Sequence, residues 1–394
     1  MNWRYGHTVL TLCTLAFTAT MVARLAISPV VPLIAADFGV SYATIGLALS
    51  GMWAAYALSQ FPSGVLGERY GERRIILVAV GATGAAALLL AVSPTVTAFV
   101  AFTIVLGAGA GLHYSVATAL LTRQFDNIGR AIGIHVTGGP VAGLLAPPVA
   151  ALLGARYGWR WAMGLGALVA IPVFGLFAWR IQPTEPLRPD QPIRERFELG
   201  PLVELISRPP IAYTTALSML GAFSWQATAS FLPAFLTDAV GLSTASASLL
   251  FSLYFLIHGG TQPLIGALSD RWSRDAAATI TMAAGVVGFG GLIYAAATEA
   301  GTILLVAPTV ALGVAMSWGA PIQSRFMDLL EDAERGAGFG LVRTVYMVLG
   351  ASGSVIVGTV SDMAGWLAAF GLLTAVMGIG LAALVINRVA RLGL

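Results

Sequence analysis

The stretch Gly64-Val-Leu66-Gly-Glu68-Arg69-Tyr-Gly71-Glu72-Arg73-Arg74 lies between two long apolar runs, and an echo of it returns 202 residues later as Gly266-Ala-Leu268-Ser-Asp270-Arg271-Trp272-Ser-Arg274. A charged loop this short between apolar runs is a turn between two membrane-spanning helices. A chain that repeats such a turn at half its own length predicts two similar helical bundles, with a substrate site where the repeats meet.

The repeat extends outward from the turn. Pro32, Asp37, Gly39 and Ser41 after the first apolar run match Pro233, Asp238, Gly241 and Ser243 after the seventh. Arg130-Ala-Ile-Gly133 matches Arg335-Gly-Ala-Gly338, and Gly158-Trp159 matches Gly365-Trp366. The offsets drift only from 201 to 207, as small loop insertions would make them.

Composition assigns the solvent. Hydrophobic residues form 57% of the 394 and charged residues 10%, against roughly a quarter charged in soluble proteins. Lipid therefore covers most of the surface, and the bilayer is the first expected partner. All 21 basic residues are arginine, and the formal charge of +3 is spread over loops, so no nucleic-acid partner is expected. Cys13 stands alone in an apolar run, which excludes an internal disulfide and a cysteine metal cluster. No cofactor or metal is expected, and the chain reads as a monomer. The apolar stretch from Thr8 to Ala35 far exceeds a signal-peptide core of about 7–15 residues, so it reads as an uncleaved first span.

A span needs about 20 mostly apolar residues. Twelve such stretches occur, at 8–35, 43–67, 75–92, 97–121, 131–155, 159–179, 210–236, 244–268, 276–297, 302–324, 337–360 and 366–387. All should be helices, because lipid cannot satisfy open backbone groups. The fold class is thus an all-α membrane protein of two pseudo-symmetric six-helix bundles, 1–180 and 208–394. Its one long connection, 181–207, carries Pro183, Pro186, Pro189, Pro192 and Pro201 among arginines and glutamates and reads as a cytoplasmic linker. With the N-terminus inside, seventeen arginines fall at cytoplasmic ends, two (Arg156 and Arg160) outside, and two (Arg24 and Arg343) within spans. That asymmetry puts both termini in the cytoplasm, at the cell membrane.

These residues resemble the major facilitator superfamily over the whole chain. Its signature loop after span two is Gly-x-Leu-x-Asp-Arg-x-Gly-Arg-Arg; Gly64, Leu66, Arg69, Gly71 and Arg73 fit it, with Glu68 at the aspartate position. The echo after span eight keeps Gly266, Leu268, Asp270 and Arg271. The resemblance implies a secondary transporter in which spans 1, 4, 7 and 10 line a central cavity, 2, 5, 8 and 11 stand beside them, and 3, 6, 9 and 12 support. It makes Glu68, Arg69, Gly71, Arg73, Asp270 and Arg271 a gating latch, an acidic group held by a helix dipole with arginines pairing across the loop. The same residues also serve as topology anchors. In span five, Gly138-Gly139-Pro140-Val-Ala-Gly143 is similar to the Gly-Pro-x-x-Gly element of antiporters, although Leu144 replaces the usual last glycine. Gly139, Pro140 and Gly143 are equally accounted for by a closely packed, bent gating helix. Span four lacks the arginine that drug/proton antiporters often carry. Gly111-Leu-His113 followed by Gly129-Arg130-Ala-Ile-Gly133-Ile-His135 is similar to fosmidomycin-resistance-type exporters, whose cargo is anionic.

Arg24 lies about 24 Å along a helix from Thr8. An arginine at such depth costs at least ~2.5–3.5 kcal/mol, so it faces a partner or a cavity. No span holds Asp or Glu away from its ends, which favours a substrate anion over a structural pair. Arg343 lies about 12 Å into span eleven and either joins Arg24 or snorkels to the surface. Arg325, near the inner end of span ten, reads as a topology charge. His113, His135 and His258 are the side chains suited to proton coupling; each is also accounted for as a neutral ring bonded to a carbonyl. Trp53, Tyr56 and Gln60 share one face of span two, Trp225 and Gln226 stand at the repeat position of Arg24, and Tyr254 and Trp318 add aromatic surface. Aromatic groups with few polar ones describe a small-molecule pocket, and the same residues also serve as packing. The expectation is alternating-access transport of a small organic anion, coupled to protons or a counter-anion. The alternative is proton-driven efflux of lipophilic drugs. An enzyme is not expected, since neither a His-Glu-x-x-His pattern nor a buried Ser/His/Asp set occurs.

Overall fold

The computed structural model describes residues 3–190, 200–299, 301–331 and 337–394. Pro192, Arg194, Glu195, Arg196 and Glu198 of the linker, and Arg335 of the repeat, lie outside the described residues. The elements are helices α1 Trp3–Leu25, α2 Val31–Phe38, α3 Tyr42–Tyr70, α4 Glu72–Ala91, α5 Val96–Gly111, α6 His113–Thr122, α7 Ile128–Val136, α8 Gly138–Tyr157 and α9 Trp159–Arg180. After the linker come α10 Gly200–Ser207, α11 Pro209–Asp238, α12 Thr244–Arg271, α13 Arg274–Ala297, α14 Val306–Ala315, α15 Gly319–Leu329 and α16 Ala337–Ala390.

Eight stretches are long and apolar enough to cross a membrane, and one of these, within α16, runs 53 residues. A non-helical Gly365 (φ 84°, ψ 167°) divides α16 into two spans. Helices α3, α11 and α12, of 29, 30 and 28 residues, have spanning length but carry more polar side chains. Together these make the twelve spans expected from the sequence, and no strand occurs among the described residues.

Four spans are built from two helices each, and proline chemistry accounts for three of the breaks. Proline has no N–H to give the carbonyl four residues back, and its ring crowds that carbonyl. Pro29 would address Leu25, where α1 stops ahead of a 3-10 turn at Ser28–Val30. Pro140 would address Val136, where α7 stops. Pro321 would address Ser317, inside the 3-10 turn Met316–Trp318 between α14 and α15. The fourth break, at Leu112 between α5 and α6, follows the glycine run Gly107, Gly109 and Gly111. Pro62, Pro172, Pro233 and Pro263 sit within continuous helices, so position as well as residue type decides.

The repeat is present in backbone geometry as well as in sequence. Gly158 (φ 90°, ψ 160°) and Gly365 (φ 84°, ψ 167°) share one conformation ahead of Trp159 and Trp366, and Gly39 (φ 62°) pairs with Gly241 (φ 77°). Positive φ at all four suits glycine.

The chain forms two compact units, Met1–Gly39 with Gly51–Phe197, and Val40–Ser50 with Glu198–Leu394. In the first, Trp159 packs on Phe38 and Phe99 and donates from its indole nitrogen to Asp37 (3.1 Å), which also pairs with Arg160 at 2.7 Å. In the second, Trp366 packs on Tyr42, Phe231 and Phe370, the Tyr42 hydroxyl donates to Asp238, and Asp362 accepts the backbone N–H groups of Tyr42 (3.0 Å) and Ala43 (2.6 Å).

Candidate substrate site

In the first unit the candidate residues gather where helices break. Arg24 lies in the last turn of α1, only 2% exposed. Helix ends leave their final carbonyls open and carry partial negative charge, which suits a cation. Its Nε donates to the Thr20 carbonyl at 3.1 Å and Nη2 approaches Met21 Sδ at 2.9 Å. The guanidinium stacks 4.0 Å from the Tyr56 ring centroid and 5.2 Å from that of Trp53. No carboxylate pairs with Arg24 among the described residues. A guanidinium carries five N–H donors, and these contacts engage only part of them.

The α3 rings reach Arg24 because α5 lets α3 come close. A Cβ on Gly107 would collide with the Met52 carbonyl, and one on Gly111 with that of Tyr56. Both glycines are buried against the α3 backbone, so span four shapes the site by what it omits.

His113 opens α6 directly after the Leu112 break, and His135 ends α7 directly before the Thr137 break. Both are fully buried, with ring centroids 5.5 Å apart. Phe17 of α1 bridges them, 6.1 Å from His113 with near-parallel planes and 5.2 Å from His135. Tyr114 covers His135 from another side at 6.0 Å. Neither imidazole makes a hydrogen bond of normal geometry among the described residues, although the Cys13 backbone lies close to His113. Sequence reading missed Phe17 and Met21, which sit seven and three residues before Arg24 on the same face of α1; helical spacing from Arg24 would have found both.

The second unit brings its candidates into smaller groups. Tyr254 is fully buried, stacks on Phe251 at 5.9 Å and lies 6.2 Å from the half-buried His258. Neither the Tyr254 hydroxyl nor His258 Nδ1 has a hydrogen-bond partner among the described residues. Trp318 sits in the 3-10 break, edge-on to Tyr346 at 6.1 Å and pressed on Gly221, whose Cβ would come within 2.5 Å of the indole. The Gln226 side chain donates to the Met347 carbonyl at 3.1 Å, and the Gln226 backbone carbonyl accepts from Ser230, which also bonds Ser354 at 2.7 Å. Trp225 and Arg343 are half-buried.

The signature loop is tied down inside its own unit. Gly71 (φ 87°) caps α4, and a Cβ there would collide with the Thr184 carbonyl. Arg73 donates to the carbonyls of Ala178 (2.6 Å) and Ile181 (2.7 Å) at the end of α9, rather than to an acid within the loop. Glu68 pairs with Arg188 at 3.7 Å, Arg69 stacks on Tyr70 at 5.5 Å, and the buried Glu72 pairs with Arg123 at 2.7 Å. In the echo, Asp270 pairs with Arg274, which also reaches Asp328 at 2.9 Å, while Arg271 is exposed. Gly139 and Gly143 are buried on α8, which packs on α1, and Pro140 stands in the first turn of α8. The bend therefore falls at Thr137, three residues ahead of the proline. Arg325 is more than a topology charge: only 12% exposed, it binds Asp275, the Thr214 hydroxyl at 3.0 Å and the Leu394 carbonyl.

The sequence matches the family model described as Major Facilitator Superfamily over residues 12–327 and 214–392. A relative named probable sulfoacetate transporter, from Cupriavidus necator, is 25% identical over 318 residues, 77% of this chain and 72% of the relative. A hexuronate transporter of Bacillus subtilis is 23% identical over 371 residues, 87% of this chain and 85% of the relative. A multidrug resistance protein B homolog of Mycobacterium tuberculosis is 32% identical over a shorter 168 residues, 40% of this chain and 31% of that protein. Among solved structures, a mutant form of the nucleoside transporter NupG superposes with a TM-score of 0.84 at 16% identity, covering 96% of this chain and 99% of that one, a likeness of fold alone.

Proposed function

The chain belongs to the major facilitator superfamily of secondary transporters, and from that premise we propose that it moves a small organic anion across the cell membrane by alternating access, without altering its cargo chemically. One observation carries the reading. A fully buried guanidinium, Arg24, is held by the Thr20 carbonyl, a thioether and two aromatic rings, with no carboxylate paired to it among the described residues. Charge-assisted hydrogen bonds from a planar fork suit a carboxylate or sulfonate. Relatives named for sulfoacetate and hexuronate transport support that cargo class.

In this reading Arg24 takes the anionic group while Tyr56 and Trp53 form its wall. Arg343, Trp225, Gln226, Tyr254, His258 and Trp318 are the candidate cargo-contacting residues of the second half. The halves are 1–180 and 208–394, joined by 181–207, and they act as a monomer. His113 and His135 carry the coupling proton, with His258 as a further station. The loops at Glu68–Arg73 and Asp270–Arg271 and the break before Gly139-Pro140-Val-Ala-Gly143 gate the passage. Both termini lie in the cytoplasm.

Uptake of labelled sulfoacetate, glucuronate and the cationic dye ethidium into proteoliposomes tests the cargo class. The expected result is saturable uptake of at least one of the anions, abolished by Arg24→Ala, with no dye transport. Dye transport that is indifferent to Arg24→Ala would replace this reading with lipophilic drug efflux.

A further inference from the structure

We propose a second anion site, for the headgroup of an anionic phospholipid, at the rim of the second unit where α13 begins and α16 ends. A cavity of about 610 Å³ opens there, lined by Arg274, Arg325, Arg388 and Arg391 against a single acid, Asp275. Arg274 and Arg325 already have acidic partners. Arg388 and Arg391 have none among the described residues, so the lining keeps a surplus of positive charge. Asn387, 6% exposed, also lines the cavity and bonds Leu394 through both its amide nitrogen (2.9 Å) and its oxygen (3.1 Å).

Backbone geometry holds Arg391 in place at a cost. Helix α16 ends at Ala390, Arg391 adopts φ 51°, and the Leu392 N–H returns to the Asn387 carbonyl at 3.1 Å. That is a helix-ending turn whose left-handed position ordinarily holds glycine. A side chain there is strained, and such strain clusters at ligand-binding positions. Here the strained residue places a guanidinium in the cavity wall.

Lipid fits better than a soluble anion because exposed apolar side chains flank the lining residues Leu384, Arg388 and Arg391 along the chain. Val385 and Val389, one turn apart on α16, are 45% and 77% exposed, Ile386 beside them is 57% exposed, and Leu392 just past the helix end is 54% exposed. Trp272, 71% exposed, precedes Ser273 in the lining, as an interfacial aromatic would. A phosphodiester in the arginine cavity would lay its acyl chains along these side chains. Basic pockets between helix ends at a membrane surface bind such headgroups.

The test is thermal unfolding of the purified full chain in neutral detergent, titrated with phosphatidylglycerol, phosphatidylcholine or inorganic phosphate. Phosphatidylglycerol should raise Tm by about 5 °C, the linkage expected for a saturated site, and the other two by less than a third of that. Arg388→Gln with Arg391→Gln should remove most of the shift. Arg391→Gly, which relieves the backbone and removes the charge, should keep or raise the lipid-free Tm while reducing the lipid response. An equal rise with phosphatidylcholine, or a full response in both variants, overturns the proposal. A full response to inorganic phosphate alone replaces the lipid with a soluble anion.

Discussion

Arg24 is tolerable in hydrocarbon because its neighbours take up part of its charge. Stacking on Tyr56 at 4.0 Å and Trp53 at 5.2 Å is worth about 2 kcal/mol when desolvated, and the Thr20 carbonyl adds a charge-assisted bond. The sequence made this residue conspicuous through its depth and the lack of any acid within the spans. It could not show that α1 ends one residue later, or that the side chain turns back onto the Thr20 carbonyl of its own helix. The histidines were legible as a list of three, but not as a pair plus one. His113 and His135 come from separate spans, and the ring that joins them, Phe17, looks like any other apolar residue in an apolar run. If that pair carries the coupling proton, His113→Gln and His135→Gln should each leave equilibrium exchange of anion intact. Uptake driven by an inward proton gradient should fall at least about tenfold, since glutamine holds no titrating proton near neutral pH. Gradient-driven uptake unchanged in both variants would exclude the pair from coupling.

At the scale of elements, hydropathy located twelve spans because lipid demands a run of apolar residues, and it was blind to backbone continuity because lipid does not. The breaks at Leu112, Thr137 and Met316–Trp318 leave the apolar pattern untouched. Three of the four breaks follow a proline whose missing N–H would have served the carbonyl four residues back, a rule that could have been applied to the sequence had the uninterrupted prolines been distinguishable. Discontinuous spans place polar helix ends at depth, which is where transporters of this kind build sites. Glycine spacing in α5 matters as much. Gly111→Ala would drive a methyl into the Tyr56 carbonyl and displace the ring beneath Arg24. Overpacking of this kind costs about 1–3 kcal/mol, so the variant should unfold several degrees lower and transport poorly. Gly175→Ala in α9 meets nothing within 4 Å and should match or exceed the parent Tm. Equal behaviour of the two variants would contradict close α3–α5 packing as the reason for the glycine.

For the whole molecule, the internal repeat was the most legible feature, and it is written in the backbone as matched left-handed glycines, Gly39 with Gly241 and Gly158 with Gly365. Less legible were the ties that close each unit: Arg73 on the end of α9, Glu72 with Arg123, and Arg325 with Asp275 and Thr214. Each joins segments from 50 to 111 residues apart, and no local pattern marks the partner. The topology proposed from arginine placement is open to a direct check. The lone cysteine, Cys13, is buried, so single cysteines can be read against a quiet background. Glu299→Cys should react with an impermeant maleimide added to intact cells, and Asp126→Cys only after the membrane is opened. The reverse pattern would invert the molecule.

The central claim is that Arg24 holds the cargo's negative charge, and equilibrium binding isolates it from coupling and gating. Titrating the detergent-purified transporter calorimetrically with whichever anion it transports should give a single site. In Arg24→Ala its Kd should weaken by about a hundredfold or more, the loss of a desolvated charge-assisted pair, and Arg24→Lys should recover only part because it lacks the planar fork. A Kd for Arg24→Ala within twofold of the parent, in a variant that unfolds at the parent Tm, would contradict the account.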